Sequence, residues 1–242
     1  MKGTTMSTIK SVIFTFLILA GEQHVSAQSF LNLDFESANI PSSTEASSLI
    51  LLSQGLPGWT GSFISSTATN QTIQAVYDGI SMAGVGFAVV DTNVLYGFNT
   101  IRGNYSAFLF GGYGNGGSVY AAQISQSGLV PSGTKSIQFE AMTNYSLPFN
   151  VTLGGQAIDM AALEVFSNYT LYGGNIPSSF AGQVETLSIT ESAPPYGLPG
   201  ASIFELDDIV FSQSSIPEPS EFVLGALGVL LFGFRRWRNS TG

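Results

Sequence analysis

The chain has 242 residues, of which only 10% are charged, and its formal net charge is −9. This composition is too apolar for a disordered protein, and its acidity disfavours binding to the negative phosphates of nucleic acids. The absence of cysteine excludes disulfides and thiolate chemistry. The single histidine, His24, falls in a segment that we predict to be removed, so the mature chain would contain neither residue type.

The N-terminal residues 1–27 show the pattern of a Sec-type signal peptide. Lys2 and Lys10 precede an apolar run that covers Ser11–Ala20. Val25-Ser26-Ala27 then provides small residues at the −3 and −1 positions of a cleavage site. We predict passage through the Sec translocon and cleavage by signal peptidase before Gln28; an uncleaved N-terminal anchor is the alternative.

The body, residues 28–213, consists of strand-length runs separated by turn residues, and no part of it shows a sustained helical pattern. Ser136–Ala141 alternates as a half-buried antiparallel strand does, and Gly111–Gly117 is typical of a hairpin loop. We predict an all-β fold, a single antiparallel β-sandwich of jelly-roll type. The predicted strands are Phe30–Glu36, Gln71–Val76, Val85–Val90, Tyr105–Phe110, Ser118–Gln123, Ser136–Met142, Phe149–Leu153, Ala162–Tyr172, Val184–Thr190 and Ile203–Phe211.

Three phrases of the body resemble the galactose-binding-domain-like jelly rolls, which include many carbohydrate-binding modules. They are Asn32-Leu33-Asp34-Phe35-Glu36, Leu56-Pro57-Gly58-Trp59 and Leu206-Asp207-Asp208-Ile209, and the resemblance spans about Phe30 to Ser212. It implies that the first and last strands lie close together and share a structural calcium ion. The matching residues are Asp34, Glu36, Asp207 and Asp208, since calcium binds six to eight oxygens. The alternative is that these acids are solvated or cap backbone amides.

Two aromatic residues are candidates for a ligand platform on which a sugar ring could stack. Trp59 is the single tryptophan before the C-terminal segment, and Tyr113 lies in the glycine-rich hairpin. The alternative for Trp59 is a place in the hydrophobic core.

The C-terminal residues 214–242 contain Pro217-Glu218-Pro219, an apolar stretch from Phe222 to Phe234, and a basic cluster of Arg235, Arg236 and Arg238. A helix over the apolar stretch is about 20 Å long, shorter than the hydrocarbon core of about 30 Å, and the arginines favour a cytoplasmic end. This order resembles the PEP-CTERM sorting signal. The resemblance implies that an exosortase, a membrane protease, recognises the triplet and removes the tail from a bacterial surface protein associated with extracellular polysaccharide. An ordinary single-pass anchor is the alternative.

The residue types of the mature chain argue against an enzyme, because a serine nucleophile needs a base that is usually histidine. A glycan-active enzyme with paired carboxylates, for which Glu140 and Glu164 are available, is the least favoured hypothesis. We predict an exported protein of the cell surface or extracellular matrix, with a non-catalytic adhesive or structural β-sandwich. The alternative is a carbohydrate-binding module that acts on extracellular polysaccharide.

Overall fold

The computed structural model describes residues 28–79, 85–93, 99–113, 118–143, 149–192 and 202–217. The predicted signal peptide, the predicted tail helix and its arginine cluster lie outside these residues, as do Glu218 and Pro219. No helix within the described ranges is long and apolar enough to cross a bilayer.

Among the described residues, 56% are in β-strands and 4% are helical, which confirms the predicted all-β class. In the described part of the chain, a short helix at Leu52–Gly55 and a 3-10 turn at Ser178–Phe180 interrupt the strands. The elements in chain order are β1 Ser48–Leu51, α1 Leu52–Gly55, β2 Thr60–Ile64, β3 Thr69–Thr72, β4 Gln74–Tyr77, β5 Gly86–Asp91, β6 Tyr105–Tyr113, β7 Val119–Leu129, β8 Ser136–Thr143, β9 Phe149–Leu153, β10 Gln156–Ile158, β11 Ala161–Val165, β12 Thr170–Asn175, β13 Val184–Glu191 and β14 Ser202–Ser212.

The strands form two sheets that enclose the core between them. The front sheet has the order β10-β9-β13-β7-β2-β3, and the back sheet has the order β1-β4-β5-β6-β14-β8-β12-β11. Pairing is antiparallel except between β4 and β5. The ends of β6 and β7 also pair, Tyr113 with Val119, so these two strands link the sheets. Of the predicted hairpin loop, Gly111–Tyr113 belong to β6, and residues 114–117 lie outside the described residues.

Aromatic residues from both sheets fill the space between them. Phe63 of the front sheet stacks on Phe87 of the back sheet, with ring centroids 5.2 Å apart. Phe149 of the front sheet contacts Phe204 of the back sheet at 4.9 Å. Such contacts bury large apolar areas and stabilise a two-layer arrangement without disulfides.

A second buried apolar group lies on the outer side of the back sheet. It consists of Ala88, Val90, Phe108, Phe110 and Ile203, with Val76 packed against it. The central strands β5 and β6 are therefore buried on both faces, which explains their nearly continuous apolar sequences.

Three predicted strands are wrong. Phe30–Glu36 is not a strand, because Asn32 and Phe35 adopt positive φ angles of 50° and 55° and turn the chain. Gln71–Val76 is two strands of different sheets, separated at the exposed Ile73. Ala162–Tyr172 is the hairpin of β11 and β12. The sequence patterns also missed β1, β2 and β10.

Candidate functional site

The segments that begin and end the body lie side by side, as the resemblance implied. The amide of Ile209 donates to the carbonyl of Leu33 at 2.9 Å, and the ring of Phe30 stacks on that of Phe211 with centroids 5.0 Å apart. The contact occurs at a bulge in β14, where Asp208 has a φ of 46°.

Glu36 binds the loop that precedes β6. Its Oε1 accepts hydrogen bonds from the amides of Asn104 at 2.7 Å and Tyr105 at 3.0 Å, and its Oε2 accepts one from Nδ2 of Asn104 at 2.9 Å. Asp34 is exposed, and its Oδ1 accepts the amide of Glu36 at 3.3 Å. Both carboxylates therefore cap backbone amides in this structure.

Asp207 holds the same loop from the back sheet. Its Oδ2 accepts from Oγ of Ser106 at 2.8 Å and from the amide of Arg102 at 3.1 Å, while its Oδ1 accepts from the amide of Asp208 at 2.8 Å. Burial raises the pKa of Asp207 to about 7, against the lowering effect of these hydrogen bonds, and the negative charge of Glu36 raises it further.

Glu140 lies beside Asp207 in the register of β8 and β14 and is paired with Arg102. Nε of Arg102 lies 2.6 and 2.7 Å from the two carboxylate oxygens of Glu140, and Nη2 lies 2.6 Å from Oε1. Glu164, the other residue considered for a glycosidase, is exposed on the edge strand β11.

Calcium binding by Asp34, Glu36, Asp207 and Asp208 stays a prediction. The structure brings Glu36 and Asp207 to one loop, but the described residues contain no group of three or more Asp, Glu or His side chains arranged around a metal position. If these acids hold a calcium ion, the melting temperature should rise by several degrees in calcium relative to chelator, through binding to the native state alone. Identical melting curves would show that the carboxylates only cap amides.

The two predicted platform residues have different surroundings. Trp59 is only 4% exposed, its ring packs on Phe35 with centroids 5.8 Å apart, and its Nε1 donates to the carbonyl of Asn32 at 3.1 Å. A covered ring cannot stack on a sugar, so Trp59 is a core residue in this structure. Tyr113 is half-buried at the end of β6.

The outer side of the front sheet carries an array of uncharged polar side chains, which we call the hydroxyl face. Its members follow the strand register in three rows, and each is a serine, threonine, asparagine or glutamine. Ser62 is buried, and the other members are partly or fully exposed. The rows are Gln71-Ser62-Gln123-Thr190-Asn150, then Thr60-Ser125-Ser188-Thr152, then Ser127-Thr186. Neighbours should be about 4.8 Å apart across strands and about 6.7 Å apart along them.

Hydrogen bonds across the strands fix several of these side chains. The hydroxyls of Thr60 and Ser125 are 2.9 Å apart, and those of Ser127 and Thr186 are 2.7 Å apart. Nε2 of Gln123 donates to Oγ1 of Thr190 at 2.9 Å. Oγ1 of Thr60 also donates to the carbonyl of Ser125 at 2.9 Å, so this pair keeps only lone pairs for a ligand. The Ser127–Thr186 pair keeps one donor as well as lone pairs.

One end of the hydroxyl face contains a hollow of about 300 Å³. Thr60, Ser125, Ser127 and Thr186 of the face line it, and no charged side chain of the described residues does. The remaining lining residues are Gln28, Ser29, Leu31, Gly58 and Gln126. Its size is at the lower limit of small-ligand pockets.

The N-terminal segment of the body forms one wall of the hollow. Ser29 pairs with Leu129 in a parallel bridge, and the amide of Leu129 donates to the carbonyl of Gln28 at 2.8 Å. The side-chain amide of Gln126 binds both main-chain groups of Leu31. The wall therefore starts at Gln28, the residue that follows the predicted signal peptide.

Sequence reasoning missed the hydroxyl face, although part of its signal is local. In β13 every second residue from Thr186 to Thr190 carries a hydroxyl group, and in β7 Ser125 and Ser127 repeat this spacing. The residues between them are buried. The rows themselves depend on strand pairings between distant parts of the chain, which a single sequence does not reveal.

No protein-family model matches the chain, and no curated protein matches it. Among solved structures, it is similar to TmCBM61 in complex with β-1,4-galactotriose, at 14% identity and a TM-score of 0.43, over 77% of this chain and 99% of that one. It is similar to the Stig cyclase Fisc from Fischerella sp. TAU, at 13% identity and a TM-score of 0.43, over 76% and 96% of the two chains. It is also similar to the K2 cleaved adhesin domain of Lys-gingipain, at 13% and 0.37, over 77% and 98%. Because these TM-scores are low, the comparison assigns no ligand or activity.

Proposed function

We propose that this protein is a non-catalytic binding protein of the cell surface, and that its β-sandwich, of jelly-roll type, binds neutral polysaccharide through the hydroxyl face. The observation that carries the proposal is the uncharged, hydrogen-bonding surface of the front sheet with the hollow at its end. Sugar hydroxyls match such a surface, since both partners donate and accept.

The electrostatics of the domain favour a neutral ligand over an acidic one. Arg102 and Lys135 are the only basic side chains between the two predicted processing segments, and Arg102 is paired with Glu140. Cleavage before Gln28 would add one α-ammonium group beside the hollow. The acidic remainder of the chain would repel uronate or sulfate groups.

Export and sorting are the second part of the proposal. The predicted signal peptide would deliver the body across the inner membrane, the tail would hold it there transiently, and an exosortase would remove the tail at Pro217-Glu218-Pro219. Intact mass of the protein from its host checks this: we expect a species that begins at Gln28 and ends near the triplet. A species that retains Phe222 to Gly242 would instead indicate a resident membrane protein.

Glycan binding is tested with a double variant of the hollow, Ser127→Ala with Thr186→Ala. We expect the purified chain to bind neutral polysaccharides on a glycan array, and the double variant to bind at least about tenfold more weakly through the loss of two hydroxyls. The matched control is Ser132→Ala with Ser179→Ala, two exposed serines outside the hydroxyl face.

Each outcome has a separate meaning. Retained binding by the hollow variant would place the site on another surface. No binding by any form would favour a purely structural or adhesive sandwich.

A further inference from the structure

After β14 the chain does not project from the domain but follows the outer side of the back sheet. Oγ of Ser136 donates to the carbonyl of Ser214 at 2.7 Å, and the amide of Ser214 donates to Oγ of Ser212 at 3.1 Å. Residues 213–216 are therefore docked on strands β8 and β12.

Asn175, the last residue of β12, binds Ile216 with both ends of its amide. Its Nδ2 donates to the carbonyl of Ile216 at 2.8 Å, and its Oδ1 accepts the amide of Ile216 at 2.7 Å. A neighbouring strand would satisfy these groups in the same way, but here a single side chain does so. We call this pair of bonds the Asn175 clamp.

The side chain of Ile216 is also held. It lies over Gly173, where an added Cβ would be 3.1 Å from Cδ1 of Ile216 and 2.7 Å from Cδ1 of Leu163. The glycine thus provides the space in which Ile216 and Leu163 lie.

We propose that the Asn175 clamp restrains removal of the C-terminal tail. The triplet Pro217-Glu218-Pro219 starts at the residue after the clamp. Proteins that bind an extended segment by adding it as a strand do so through its main-chain N–H and C=O groups, and both groups of Ile216 are occupied by Asn175. A protease that binds the chain in this way on the N-terminal side of the triplet would therefore require release of the docked segment. This inference rests on the tail removal of the proposed function.

Hydrogen exchange of the Ile216 amide tests the clamp without any protease. In the full chain, purified in detergent, we expect Asn175→Ala to exchange this amide about tenfold faster or more. Asn175→Asp keeps an acceptor for the amide and should retain most of the protection. The control is Asn168→Ala, an exposed residue in the turn between β11 and β12. Equal exchange in Asn175→Ala and the control would overturn the clamp.

Pulse-chase measurement of tail removal in the host tests the restraint. We expect Asn175→Ala to lose its tail about three- to tenfold faster than the wild type and Asn168→Ala. Faster exchange at Ile216 without faster removal would overturn the restraint while leaving tail removal intact. Failure of every form to lose its tail would overturn the sorting function and the restraint together, and the exchange of Ile216 would still report whether the clamp exists.

Discussion

The melting temperature of the protein is expected to be highest near pH 5 and to fall by about 5–15 °C as the pH is raised to 9. The reason is a set of buried acids. Burial raises the pKa of Glu191 and of Glu205 to about 8, and that of Asp207 to about 7. Glu205 lies between Phe108 and Met142 in the sheet register, and its Oε1 has no hydrogen-bond partner among the described residues.

The direction follows from proton binding. Between the ordinary pKa of a glutamate, 4.5, and the folded value of about 8, the native state holds protons that the unfolded chain has released. Stability from these groups is therefore fully present below about pH 4.5 and is lost as the pH rises through about 8. Each pKa unit corresponds to about 1.4 kcal/mol.

Thermal unfolding from pH 5 to pH 9 measures the effect, and Glu205→Gln identifies its source. Glutamine keeps the shape and cannot ionise, so this variant should lose less stability at high pH than the wild type. Glu164→Gln, on the exposed edge strand, is the control and should follow the wild type. A melting temperature that is constant or rises over this range would contradict the buried, protonated acids.

Gly103→Ala is expected to destabilise the protein by about 2–4 kcal/mol, because it combines two costs. Gly103 has a φ of 57°, which is unfavourable for alanine. Its added Cβ would also collide with Oε1 of Glu36, the atom that accepts the amides of Asn104 and Tyr105. The alanine would therefore displace the carboxylate that holds the loop.

A second glycine allows the backbone cost of a positive φ to be measured without the collision with Glu36. Gly155 has a φ of 78°, and an added Cβ there has nothing within 4 Å. Gly155→Ala should cost only about 1–2 kcal/mol, the backbone contribution alone. Denaturant unfolding of both variants gives the difference. Equal losses would mean that the contact between Gly103 and Glu36 contributes nothing to stability.

The strands that could be predicted from the sequence are those in which the local spacing of apolar residues already indicates a strand. Phe149–Leu153 was predicted with both bounds correct, and β8 and β13 differ from prediction by one residue at one end. In these strands apolar residues recur at every second position, as Ile137, Phe139 and Ala141 do in β8, so the period of two is visible locally. The predicted strand boundaries were wrong where tertiary contacts determine the chain path. Phe35 is an example, because it lies in a turn and its side chain is fully buried.

The candidate site could be predicted only in part, for a related reason. Glu36 and Asp207 were singled out from short phrases, and both hold the loop before β6, but as acceptors for backbone and side-chain donors. The hydroxyl face depends on the registers of β2, β7, β13 and β9, which connect residues as distant as Thr60 and Thr152. Such non-local pairing cannot be predicted from the sequence of any one strand.

The hydroxyl face and the docked segment at Ile216 lie on opposite sides of the sandwich. In a domain held by its C-terminal end, as we propose for the stage before tail removal, the proposed ligand-binding face would lie on the side away from the docked segment. A force applied between the C-terminal end and the proposed binding face would reach β14, which is flanked by β6 and β8. Pulling along such an interior strand loads the hydrogen bonds on both sides in shear, so many must break together.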